Sequence, residues 1–86
     1  MDRLEEWRAF VAVASLSSFS KAAQRLGRSP QSITRAVADL EQRLRTRLLN
    51  RTTRSVSLTN DGERQLEKAR RALADFELLE SGEDAK

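Results

Sequence analysis

The chain has 86 residues, a formal net charge of +3, 38% hydrophobic and 34% charged residues, which makes one small domain or a piece of a longer protein, too apolar for disorder and too charged for a membrane chain. It contains no cysteine and no histidine, so disulfide scaffolds, zinc fingers, thiol or imidazole catalysis and ordinary transition-metal sites are excluded, and no cofactor or metal is expected. No stretch approaches the ~18 apolar residues of a membrane span, and Met1-Asp2-Arg3-Leu4-Glu5-Glu6 lacks a signal-peptide pattern, so a cytoplasmic, mostly helical module with no membrane partner is expected.

The first predicted helix runs from Leu4 to Ala14. Leu4, Trp7, Phe10, Val11 and Ala14 fall on one helical face, with Glu5, Glu6 and Arg8 assigned to the opposite side and Ser15-Leu16-Ser17-Ser18 as a connector. A second, short helix is predicted from about Ser20, whose hydroxyl can cap it, to Gly27, which tolerates a left-handed ending. Ala22 and Ala23 let another helix approach closely, with Phe19 and Leu26 as anchors.

The third helix carries the clearest signals. Ser29 can cap it and Pro30 suits its first position. Ile33, Ala36, Val37, Leu40 and Leu44 form its apolar stripe, and Gln31, Ser32, Thr34, Arg35, Ala38 and Asp39 lie on the other side. A short helix, a tight glycine-containing turn and a second helix with a polar leading face describe a helix-turn-helix.

Leu48 to Leu58 reads as a small β-hairpin with Arg51 and Arg54 at its tip. The last helix begins at Thr59 or Asn60, and Asn60 with Glu63 resembles a capping box. Leu66, Ala69, Leu73 and Phe76 form a stripe that can either cover the domain's own core or meet a partner helix. Dimerisation is the preferred use, because the first three helices have apolar faces enough to satisfy each other.

Charge is distributed unevenly. Residues 1–27 carry a net +1 and residues 59–86 a net −3, whereas residues 28–58 hold seven arginines against Asp39 and Glu41, a net +5. Arginine makes bidentate contacts with phosphate and guanine, and like charges so concentrated repel unless a polyanion meets them. The middle of the chain is therefore the candidate nucleic-acid face. An enzyme is disfavoured, since the carboxylates are scattered among basic partners and histidine, cysteine and tyrosine are absent. A protein-docking module is the other rival.

Several stretches, in order, resemble the N-terminal DNA-binding domain of LysR-type transcriptional regulators. They are residues 10–14 (FVAVA), 18–27 (SFSKAAQRLG), 29–37 (SPQSITRAV), Leu40-Glu41, 48–59 (LLNRTTRSVSLT) and Gly62. The resemblance implies a winged helix-turn-helix at residues 1–58, with a three-helix core and a hairpin wing, then a linker and dimerisation helix at 59–80; residues 81–86 (SGEDAK) read by composition as a polar tail. It places Ser29, Pro30, Gln31, Ser32, Thr34 and Arg35 on a recognition helix in the major groove of double-stranded DNA, and Arg51 and Arg54 on a wing in the minor groove. It further implies a homodimer on an interrupted palindrome. The C-terminal domain through which such regulators bind a small-molecule inducer lies outside this chain, so an excised or truncated protein is expected. The chemistry agrees: Gln31 can read adenine and Arg35 guanine, Ser29, Ser32, Thr34 and the helix end suit phosphate, and Arg51 and Arg54 fit a narrow minor groove. Arg35 can instead pair with Asp39 four residues on. One position departs from the family, which usually has glycine where this chain has Arg45. Either Arg45 takes a left-handed conformation at steric cost, or the helix runs on.

Overall fold

The computed structural model describes residues 2–52 and 55–82. In chain order the elements are α1 (Arg3–Leu16), α2 (Phe19–Leu26), α3 (Pro30–Leu44), β1 (Leu49–Arg51), β2 (Val56–Leu58) and α4 (Asn60–Ser81). The architecture is the expected winged helix-turn-helix followed by a long helix. Phe10, Val13, Ile33, Val37, Leu40, Leu48 and Leu49 are the largest fully buried side chains, so α1, α3 and the entry to the hairpin share one core.

Local signals explain most boundaries, with two differences: α1 runs Arg3–Leu16, taking in Ser15 and Leu16 of the expected connector, and α2 is capped by an earlier serine. Asp2 caps α1 by accepting from the Glu5 N–H at 2.8 Å. The cap of α2 is Ser18, which accepts from Lys21 N–H at 3.1 Å, two residues before the expected Ser20. The cap of α4 is Thr59, whose hydroxyl accepts from Gly62 N–H at 2.9 Å while donating to the Arg47 carbonyl at 2.7 Å. Asn60 is simply the first helical residue. Ser29 caps α3 by accepting from Ser32 N–H at 3.1 Å, with Pro30 in the first turn.

Gly27 ends α2 in the left-handed region at φ 67°. Arg28 N–H reaches the Ala23 carbonyl and Gly27 N–H the Gln24 carbonyl, the paired ending that satisfies the last free carbonyls of a helix. The same pattern closes α3: Thr46 N–H bonds to Glu41 O and Arg45 N–H to Gln42 O, with Arg45 at φ 53° and ψ 42°. The helix therefore stops where a glycine would stop it, and Arg45 bears a left-handed strain of about 1–2 kcal/mol. That stop turns the chain back towards the hairpin.

The buried face of α1 is rotated from the expected one. Glu6, Ala9, Phe10, Ala12 and Val13 are buried, while Leu4, Trp7, Val11 and Ala14 lie at its half-buried edges. Glu6 does not face solvent as predicted, because it meets Arg43 of α3. An ion pair, rather than periodicity, admits this carboxylate to the interior.

The strands pair antiparallel, Leu49 with Leu58, Asn50 with Ser57 and Arg51 with Val56. Val56 and Leu58 are half-buried and Ser57 is exposed, as strand alternation requires. The 22 residues of α4 make a rod of about 33 Å. Its projection accounts for the overall extents of 46 × 27 × 21 Å.

Candidate nucleic-acid interface

Because α3 starts abruptly at Ser29-Pro30 and buries Ile33, Ala36, Val37 and Leu40, its opposite face is forced outward. Pro30, Gln31, Thr34, Arg35, Ala38 and Asp39, spaced four apart in two adjoining rows, line one shallow depression of about 630 Å³. All six are exposed, Ser29 is exposed and Ser32 is half-buried beside them. The structure thus brings the expected recognition-helix residues together on the leading turns. No Arg35–Asp39 ion pair forms, and Arg35 has no ion-pair partner among the described residues.

The arginine-rich middle is less free than its net charge suggests. Arg28 pairs with Glu5 at 2.6 Å and Arg43 pairs with Glu6. The Arg28–Glu5 pair is exposed on both sides and contributes little, so its guanidinium can be released to another partner. Arg35, Arg45 and Arg47 make no ion pair among the described residues.

Arg51 departs most from its expected place. It is the last residue of β1 rather than the hairpin tip. One guanidinium nitrogen lies 3.7 Å from Glu41 of α3, and the guanidinium carbon sits 4.7 Å from the centre of the Phe19 ring. In the sequence Glu41 stands as an offset to charge and Phe19 as an anchor of α2, both within stretches that carry the family resemblance, and nothing there joins either to Arg51. The signal was faint: a carboxylate beside a stripe residue, Leu40, and an aromatic at a helix start. Arg54 lies outside the described residues.

The α4 stripe divides in two. Leu66 and Ala69 are buried in the domain's own fold, so of the two uses the sequence allows they serve the internal one. Leu73 and Phe76 are half-buried. With Leu4, Trp7, Ala69 and Ala72 they border a mostly apolar groove of about 360 Å³ between α1 and α4. Beyond it, Leu78 and Leu79 are exposed. No helix among the described residues is long and apolar enough to cross a membrane.

Over residues 4–63 the sequence matches the family described as bacterial regulatory helix-turn-helix protein, lysR family. The chain belongs to the LysR family. This LysR-type helix-turn-helix DNA-binding domain is 42% identical over 81 residues to a transcriptional repressor of Pseudomonas aeruginosa, an alignment covering 94% of the chain and 26% of the repressor. It is similar in structure to the BenM DNA-binding domain solved on catB site 1 DNA, with a TM-score of 0.88 and 33% identity, covering 94% of this chain and 90% of that one. It is also similar to the CbnR DNA-binding domain solved with DNA, with a TM-score of 0.80 and 39% identity, covering 86% and 84%. The LysR-type domain spans about a quarter of the length of the curated relatives it matches.

Proposed function

We propose that the domain docks on double-stranded DNA with α3 in the major groove and the hairpin wing against the neighbouring minor groove, as the reading module of a transcriptional regulator. The observation that carries this reading is the exposed polar face of α3, which starts at a serine-capped helix end. Gln31 is suited to adenine and Arg35 to guanine, each worth about 1–3 kcal/mol of discrimination. Ser29, Ser32, Thr34 and the N–H groups of the first turn suit phosphate oxygens, which fix register. On the wing, Arg54 takes the minor-groove contact assigned from sequence. The relatives' names support a regulatory role over a catalytic one, and chromosomal DNA as the ligand favours the cytoplasm, at the nucleoid, as its location.

Two copies join through α4, with Leu73 and Phe76 closing on the groove beside Leu4 and Trp7, and Leu66 and Ala69 supporting it from within. Recognition helices are then about 34 Å apart, or a multiple of that, on an interrupted palindrome. Any small-molecule inducer acts through sequence outside this segment.

Salt titration with duplex DNA tests the docking. Binding that neutralises several phosphates loses affinity steeply, with a log–log slope of about −0.9 per phosphate. A flat response instead favours docking to a protein. Arg35→Ala is expected to relax base preference at one position of each half-site by about 1–3 kcal/mol. Unchanged preference at every position removes Arg35 from the interface. Leu73→Arg is expected to turn a dimer into a monomer in sedimentation. A wild-type domain that is monomeric at high concentration ends the dimer reading.

A further inference from the structure

Glu41 lies between the two elements proposed to meet DNA. It stands on the last turn of α3, and one carboxylate oxygen, Oε2, accepts from the backbone N–H of both Leu48 at 2.8 Å and Leu49 at 3.1 Å, where β1 begins. The other, Oε1, faces the Arg51 guanidinium at 3.7 Å, and its side chain is only 16% exposed. Arg51 in turn covers the ring of Phe19, the first residue of α2. A single carboxylate therefore holds the hairpin at three points, and the hairpin's own arginine rests on the helix-turn-helix.

Hydrogen bonds to an ionised acceptor are short, directional and stronger than neutral ones, so this is a stiff connection. It also has an electrostatic cost. A negative charge within the basic middle of the chain repels a polyanion, and unless it performs another task its removal tightens binding to any duplex.

We propose that Glu41 and Arg51 are a positioning pair that fixes the angle between the wing and α3, and thereby sets how the wing reads the shape of the base pairs flanking the α3 site. Arg51 is then a strut rather than a phosphate contact. The inference rests on the duplex-docking reading above. It gives the flanking sequence a preference that depends on residues outside the groove.

The experiment starts from duplexes that the wild-type 86-residue chain selects from a random pool. In these the central half-site is kept and the flanks are made A·T-rich or G·C-rich, since minor-groove width differs between them. The readout is the ratio of affinities for the two flanks, which does not change with the fraction of active protein. In Glu41→Gln the amide oxygen can still accept from Leu48 and Leu49, but the charge facing Arg51 is gone. Arg51→Lys keeps the charge and loses the planar stack. Each is expected to lower the flank ratio by about fivefold, the lower end of what one base-pair preference is worth, with preference within the half-site retained. The double variant is expected to lose no more than either single one.

Glu41→Gln that tightens all duplexes alike, or keeps the flank ratio, overturns the positioning role. Arg51→Lys that keeps the ratio overturns it as well. A wild-type domain that binds duplex without flank dependence leaves the docking reading standing and removes this one. Failure of the wild type to bind duplex in a salt-dependent way removes the docking reading itself.

Discussion

Gly62→Ala is expected to lower the unfolding free energy by about 3 kcal/mol, among the larger effects a single methyl can have. A β-carbon at Gly62 would stand 2.0 Å from the Leu48 carbonyl oxygen and 3.1 Å from Leu58 Cδ2. The obstacle is backbone, so no rotamer relieves it. The first turn of α4 must move away, and that motion strains two bonds at the same junction: Thr59 N–H to Leu48 O at 3.0 Å and Thr59 Oγ1 to Arg47 O at 2.7 Å. Each contributes about 1 kcal/mol. The gain in helix propensity from glycine to alanine, also about 1 kcal/mol, does not offset the clash and both bonds. In a domain of this size the loss corresponds to a fall of roughly 12–24 °C in Tm. Gly27→Ala provides the comparison, because a β-carbon there meets nothing within 4 Å and only the positive φ is strained. Its cost is expected near 1 kcal/mol. Equal losses in thermal unfolding of the two variants would mean that the contact with Leu48 is not what makes Gly62 necessary.

Glu6→Ala is expected to cost about 2 kcal/mol in urea unfolding. Breaking a buried pair by removing one partner typically costs about 3–5 kcal/mol. Here the Glu6 side chain is 7% exposed and that of Arg43 is 30% exposed, so the abandoned guanidinium can reach water and the cost is smaller. Replacing both groups by apolar ones, Glu6→Leu with Arg43→Met, is expected to recover most of the loss, since neither charge then has to be desolvated. A double variant as unstable as Glu6→Ala would place the cost in packing around α1 rather than in the uncompensated charge. The pair joins α1 to α3, so it also bears on how firmly α3 is seated.

These two sites show why some of the molecule was legible in the sequence and some was not. The turn between α2 and α3 was readable because its causes are local. Gly27 tolerates a left-handed backbone, Ser29 offers an acceptor three residues ahead of Ser32 N–H, and Pro30 presets the first helical φ. The outward face of α3 follows from its inward one, which is why Gln31, Thr34 and Arg35 could be named in advance. The cap of α2 was misplaced because Ser18 and Ser20 offer the same hydroxyl, and only the course of the preceding backbone chooses between them. The cap of α4 was ambiguous for a related reason: Thr59 is preferred because its hydroxyl and N–H also tie down Arg47 and Leu48, contacts made across the fold.

The sequence by itself determined a helix-turn-helix with a polar leading face and a basic middle, because capping, backbone restriction and helical periodicity act over four residues or fewer. Only the tertiary structure decided which charges stay available to a ligand. Glu6 and Arg43 are 37 residues apart, and Phe19, Glu41 and Arg51 come from three different elements. The same holds for Leu66, whose place in the core rather than at a partner depends on how α4 lies across α1. An ion's worth depends on its solvent exposure and its neighbours, and the chain acquires both only when it folds.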